Sequence, residues 1–193
     1  MFLLIYILIV GCKNNVVTPL PVGKSIKSIE ANVINFDDGT NYTINEDSVA
    51  KIFYLIRHAE KDTVNKVDPL LTQAGLARSA KVADIMMGTR VDVIYSTMTM
   101  RTLFTVDSLA DIKMMQSRPY DNKALKDLLV KVKESSNDNR IFIVGHSNTI
   151  PAIANSIAGN DVFKNTFDES DYGNFVIVVV KKSGEVDILK LRY

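Results

Sequence analysis

The sequence predicts an α/β fold, a three-layer sandwich in which helices flank a mostly parallel central sheet. Three observations predict it. Short continuous apolar runs such as KIFYLI (51–56) and RIFIVG (140–145) read as strands buried on both faces. Segments with helical spacing of apolar residues lie between those runs. Runs and helices alternate along the chain, the order expected of strands joined by crossover helices.

The chain of 193 residues is 47% hydrophobic and 23% charged, enough to bury a substantial core. Its 23 basic and 22 acidic residues leave a net charge of +1 and no cationic patch of the kind nucleic-acid binders carry. No nucleic-acid partner is expected. A single cysteine excludes an internal disulfide framework and a cysteine-based metal cluster.

That cysteine, Cys12, directly follows the apolar run FLLIYILIVG (2–11) and precedes the polar KNN. The run is short for a bilayer span, which needs about 20 apolar residues, and fits the h-region of a secretory signal. A buried strand with an inert core cysteine is the alternative. LIVGC resembles a bacterial lipobox, which implies a signal peptide at 1–11 and lipid attachment at Cys12. The expected location is the bacterial cell envelope, outside the cytoplasm, with the membrane reached through that anchor.

Residues 12–24 mix Asn, Pro and Gly without periodicity and read as a tether. Residues 25–50 alternate apolar and polar positions around Asp38-Gly39, the signal of an N-terminal β-hairpin extension. From 51 to 193 a single domain is expected. Its next elements are a helix over 72–88 with Thr72 as cap, a strand at 91–96, and helices at 101–111 and 122–135. A helix over 149–159 follows the strand at 140–145 and ends at Gly159. NFVIVVVKK and EVDILKLRY close the chain as two strands around Ser183-Gly184, with antiparallel pairing expected there.

FYLIRH and IFIVGH each end an apolar run, and they contain the chain's two histidines, His58 and His146. Both would stand at carboxyl ends of strands, the edge where open α/β sheets bind ligands. Without carboxylates or cysteines at ligand spacing they make a poor metal site, and Arg57 opposes a cation. An anion suits the place better. Arg57 and Arg101 offer planar forks that match phosphate oxygens, and Arg101 lies near a helix start whose amides attract negative charge.

LIRHAEK (55–61), LTQAG (71–75), VIYSTMTMRTLFT (93–105) and VGHSN (144–148), in this order and spacing, resemble the histidine phosphatase superfamily. The likeness covers residues 52–193 and points to the compact, phosphoglycerate mutase-like branch without a cap domain. It departs from the mutase pattern at Ala59, where a glycine is common, and in STMTM, which lacks the usual proline.

The resemblance implies a histidine acid-type phosphatase, a phosphoric monoester hydrolase that uses neither metal nor cofactor. His58 would be the nucleophile and carry a transient phosphohistidine. Arg57, Arg101 and His146 would surround the phosphoryl oxygens, with Ser147 and Asn148 adding donors. In larger members of the family the general acid is a glutamate shortly after the third strand, where QSRPYDNKAL here offers Asp121 and no glutamate; a solvated Asp capping the next helix is the other reading of that residue. Glu60 would orient the pocket.

A phosphorylated small molecule is the expected substrate. The alternatives are a phosphohistidine or phosphoprotein phosphatase and a non-catalytic phosphate-binding module. Loops 62–71 and 160–174 would carry selectivity.

Overall fold

Strands form where the sequence runs apolar without a break. In the computed structural model, which describes residues 20–64 and 67–193, β4 (Val49–Arg57) lies at the centre with β7 (Arg140–Gly145) and β8 (Asn174–Lys181) beside it. The leader, Cys12 and most of the tether lie outside the described residues.

Alternate side chains of these strands point to opposite faces and build two cores. Ile52, Tyr54 and Ile56 of β4 join Phe142, Val144, Phe175 and Ile177 on one face. There they pack against Val82 and Met86 of α1 (Gln73–Met86) and Val106 and Leu109 of α2 (Met100–Ile112). Phe53 and Leu55 project to the other face, against Leu128 and Val132 of α3 (Leu125–Glu134) and Ile150 and Ile153 of α4 (Thr149–Ala158). Strands buried on both faces cannot alternate polar residues with apolar ones, which is why the runs are unbroken.

The sheet has nine strands. Beyond β7 come β5 (Val93–Ser96) and β6 (Arg118–Pro119), and β4, β7, β5 and β6 all run parallel. On the other side β8 and β9 (Val186–Arg192) are antiparallel. β1 (Val22–Glu30) pairs parallel with β9 and antiparallel with β2 (Val33–Phe36), which pairs antiparallel with β3 (Asn41–Thr43). The sheet is therefore mixed, with parallel pairing concentrated in the half that carries both histidines.

Local chemistry sets the boundaries. Thr72 caps α1 by accepting from Gly75 N at 3.2 Å. Asp38 accepts from Thr40 N at 3.0 Å, and Gly39 takes φ +81° in the turn before β3. The helix expected over 122–135 starts only at Leu125. Asp121 accepts from Lys123 N at 2.8 Å, so its side chain stabilises a turn where a helix would otherwise begin. The two residues of β6 are too few to show a period in the sequence.

Candidate active site

Parallel register brings the histidines together. Arg57 of β4 lies opposite Gly145 of β7, and the next residue on each strand is a histidine. His58 N donates to Gly145 O at 2.9 Å, and the two imidazole centroids are 5.6 Å apart at 66°. The crossing leaves no room for a side chain at 145. A Cβ there would lie 2.5 Å from Thr149 Oγ1 and 2.6 Å from the Tyr120 hydroxyl.

His58 is 3% exposed, and its Nδ1 is 2.8 Å from the carbonyl oxygen of Ala59. A carbonyl can only accept, so Nδ1 carries the proton and Nε2 keeps its lone pair. Ala59 is held in turn by donation from its N to Thr105 Oγ1 at 2.8 Å. Burial pushes the His58 pKa down to about 3, outweighing the Ala59 hydrogen bond, and Arg57, His146 and Arg101 push the same way. His146 is lowered to about 4 by burial and then by Arg101 and Arg57, and its Nε2 lies 3.0 Å from Thr97 Oγ1. Both rings are neutral near neutral pH.

The rings open onto a cleft of about 450 Å³ with Lys61 and Arg101 on its walls. Arg101 enters at the start of α2; its Nε is buried without a hydrogen-bond partner among the described residues, and its Nη1 is 3.7 Å from Asp68. Ser147 and Asn148 line the cleft at the start of α4. Among the described residues no group of three or more His, Cys, Asp or Glu is placed to hold a metal ion. Lys61 and Arg101 stand against the single carboxylate of Glu169 and both imidazoles are neutral, so the cleft is net positive and favours an anion.

No protein-family model matches this chain, and no curated protein matches it. Solved structures do. A protein histidine phosphatase SixA, complexed with tungstate, has TM-score 0.57 at 13% identity, over 73% of this chain and 96% of its own. A mycobacterial glucosyl-3-phosphoglycerate phosphatase has TM-score 0.58 at 10% identity, over 75% and 100%. Bacillus stearothermophilus YhfR has TM-score 0.59 at 13% identity, over 72% and 95%. These neighbours are of the histidine phosphatase superfamily.

The fold is phosphoglycerate mutase-like.

On this phosphoglycerate mutase-like sheet, two sequence-predicted residues, Arg57 and Asp121, take places other than those expected. Arg57 is wholly buried and does not line the cleft. Its Nη1 donates to the carbonyl oxygens of Asp168 and Asp171 at 2.8 and 3.3 Å, its Nη2 to Glu169 Oε2 at 2.6 Å, and Tyr172 stacks on it at 4.4 Å. The loop before β8 thus takes up the fork that the sequence assigns to phosphate oxygens. Asp121 is exposed and lines a neighbouring cleft with Thr97, Met98 and Tyr120, its carboxylate engaged by Lys123 N.

Glu60 turns to α1 and not to the cleft. Arg78 Nε donates to both its oxygens at 2.9 Å, and Arg78 Nη1 donates to Tyr193 O at 2.8 Å, tying the end of β4 to α1 and the last residue. That brace holds the backbone around His58.

Four further residues line the cleft that the motifs did not single out: Lys61, Asn122, Thr166 and Glu169. Lys61 closes the LIRHAEK block, and Asn122 is next to Asp121. Thr166 and Glu169 come from the 160–174 loop, whose sequence carries no motif.

Proposed function

We propose that this protein is a phosphomonoester hydrolase that works through a phosphohistidine on His58 and needs no metal. The observation that carries the reading is the His58 ring: neutral, fixed in one tautomer by Ala59, and lining a net-positive cleft, with no hydrogen-bond partner for its Nε2 among the described residues. The phosphatase neighbours and the tungstate bound by one of them agree with it, since tungstate is an oxyanion like phosphate.

In the first step the His58 Nε2 lone pair attacks phosphorus and the bond to the leaving oxygen breaks. The Nδ1 proton stays with His58, so the phosphorylated ring is cationic and Ala59 O accepts from it. Arg101, His146, Lys61, Ser147 and Asn148 face the transferring group and stabilise charge on its oxygens. Water then attacks the phosphohistidine, the P–N bond breaks, and the neutral ring returns.

We further propose that the chain is a lipoprotein of the bacterial cell envelope, anchored through Cys12. The apolar run and lipobox-like LIVGC support this reading. Among the described residues no helix is long and apolar enough to cross a membrane.

The test is hydrolysis of p-nitrophenyl phosphate by the full chain in EDTA, with His58→Ala as control. Turnover that survives EDTA and disappears in the variant supports the enzyme. A second reading, a phosphate-binding module without turnover, is favoured by the Arg57–Glu169 pair, which withholds one guanidinium from the ligand. That reading predicts phosphate binding with no acid-labile phosphoenzyme.

A further inference from the structure

We propose that Glu169 is the proton donor and acceptor of this reaction, the part expected of Asp121. The inference rests on the phosphatase reading above. A residue in this role must share the cleft with His58 and stay within reach of water. Among the described residues Glu169 is the acidic side chain that lines the cleft. The other carboxylates nearby are engaged elsewhere: Glu60 by the Arg78 fork, Asp68 by Met100 N at 3.0 and 3.2 Å, and Asp121 by Lys123 N.

Glu169 is also tied to both histidines through their chain neighbours. Its Oε2 accepts from Arg57, the residue before His58, and its Oε1 accepts from the hydroxyl of Ser147, the residue after His146. The carboxylate therefore lines the same cleft as both imidazoles, while its side chain stays 75% exposed and within reach of water.

The protons balance around this one group. In the free protein the Ser147 hydrogen bond lowers the carboxyl's pKa, burial opposes it, and Arg57, His58 and Lys61 each lower it further, so it is ionised. A phosphomonoester monoanion brings one proton and adds negative charge beside the carboxylate, which raises its proton affinity. Glu169 takes that proton and gives it to the leaving oxygen as the P–O bond breaks and the P–N bond forms. Ionised again, it takes a proton from water as the new P–O bond forms and the P–N bond breaks. Phosphate then leaves with that proton.

The experiment compares Glu169→Gln with the full wild-type chain on p-nitrophenyl phosphate, whose leaving group needs little protonation, and on an alkyl phosphate such as β-glycerophosphate, whose leaving group needs a proton. We expect kcat/KM on the alkyl ester to fall about 100-fold or more, against less than about 10-fold on the aryl ester in the first step. Rapid-quench phosphoenzyme should accumulate in Glu169→Gln on the aryl ester, because hydrolysis of the phosphohistidine is then the slow step. Glu169→Asp should restore part of the alkyl rate.

Equal loss on both esters without accumulation would overturn the proposal and leave Glu169 as a latch for Arg57. No turnover of the aryl ester by wild type would remove the phosphatase reading itself, and this role with it.

Discussion

The Nδ1 of His58 lies 2.8 Å from Ala59 O, while the ring of His146 stands 5.6 Å away edge-on. One backbone carbonyl thus selects the tautomer of the ring that faces the cleft, and the second ring adds its own charge sensitivity. Both rings pay for burial by losing basicity.

The chain has two histidines, so ring NMR resonances can be followed one by one. With pKa values of about 3 and about 4, neither should titrate between about pH 5 and 8, where a solvated histidine passes through its midpoint. The linkage has a definite sign. Below about 6.5 the unfolded chain binds protons that the folded rings refuse, so stability is full above that pH and falls steadily toward 4. Thermal melts at pH 7 and pH 5 should show the lower Tm at pH 5. A ring titrating near 6.5 in the folded protein would contradict this account.

Gly145→Ala forces a methyl group to within 2.5 Å of Thr149 Oγ1. That hydroxyl accepts from His146 N at 2.9 Å, so relief of the clash displaces the second histidine. We expect a loss of about 1–3 kcal/mol in urea unfolding, typical of overpacking. Activity should fall further than the folded fraction does.

Asp121→Asn should leave the ratio of alkyl to aryl phosphate rates unchanged, because Asp121 faces a neighbouring cleft and serves a turn. Stability should change by less than about 1 kcal/mol, as for most exposed positions. A collapse of the alkyl rate in this variant, with Glu169→Gln unaffected, would return the acid role to Asp121.

Cys12→Ala should move the protein from the membrane fraction to the soluble fraction of a bacterial host and abolish incorporation of labelled fatty acid. Unchanged fractionation would remove the lipid anchor from the reading.

The strands and helices that carry the histidines were legible because each is a local pattern. KIFYLI and RIFIVG are buried on both faces, and the apolar spacing of 149–158 makes α4 readable before any contact is known. The start of α3 was misjudged by three residues, since a side-chain turn at Asp121 competes with the helix through a bond that periodicity does not register.

The site was legible only where its residues follow directly from strands. His58, His146, Ser147 and Asn148 are placed by where β4 and β7 end, and Arg101 by where α2 begins. Arg57 was recognised as a residue but not by its direction. Its partners lie 111 to 114 positions further along the chain, in a loop with no repeat or motif.

By itself the sequence determined the layers, the order of the longer strands and helices from residue 51 on, and the presence of two imidazoles at strand ends, because each depends on side chains a few positions apart. Only the tertiary structure decided that Glu169, and not Asp121, shares the cleft with His58, and that Arg57 is turned toward the loop before β8. Those outcomes depend on which of several distant carbonyls and carboxylates reaches a buried guanidinium first in space, and burial makes that pairing obligatory.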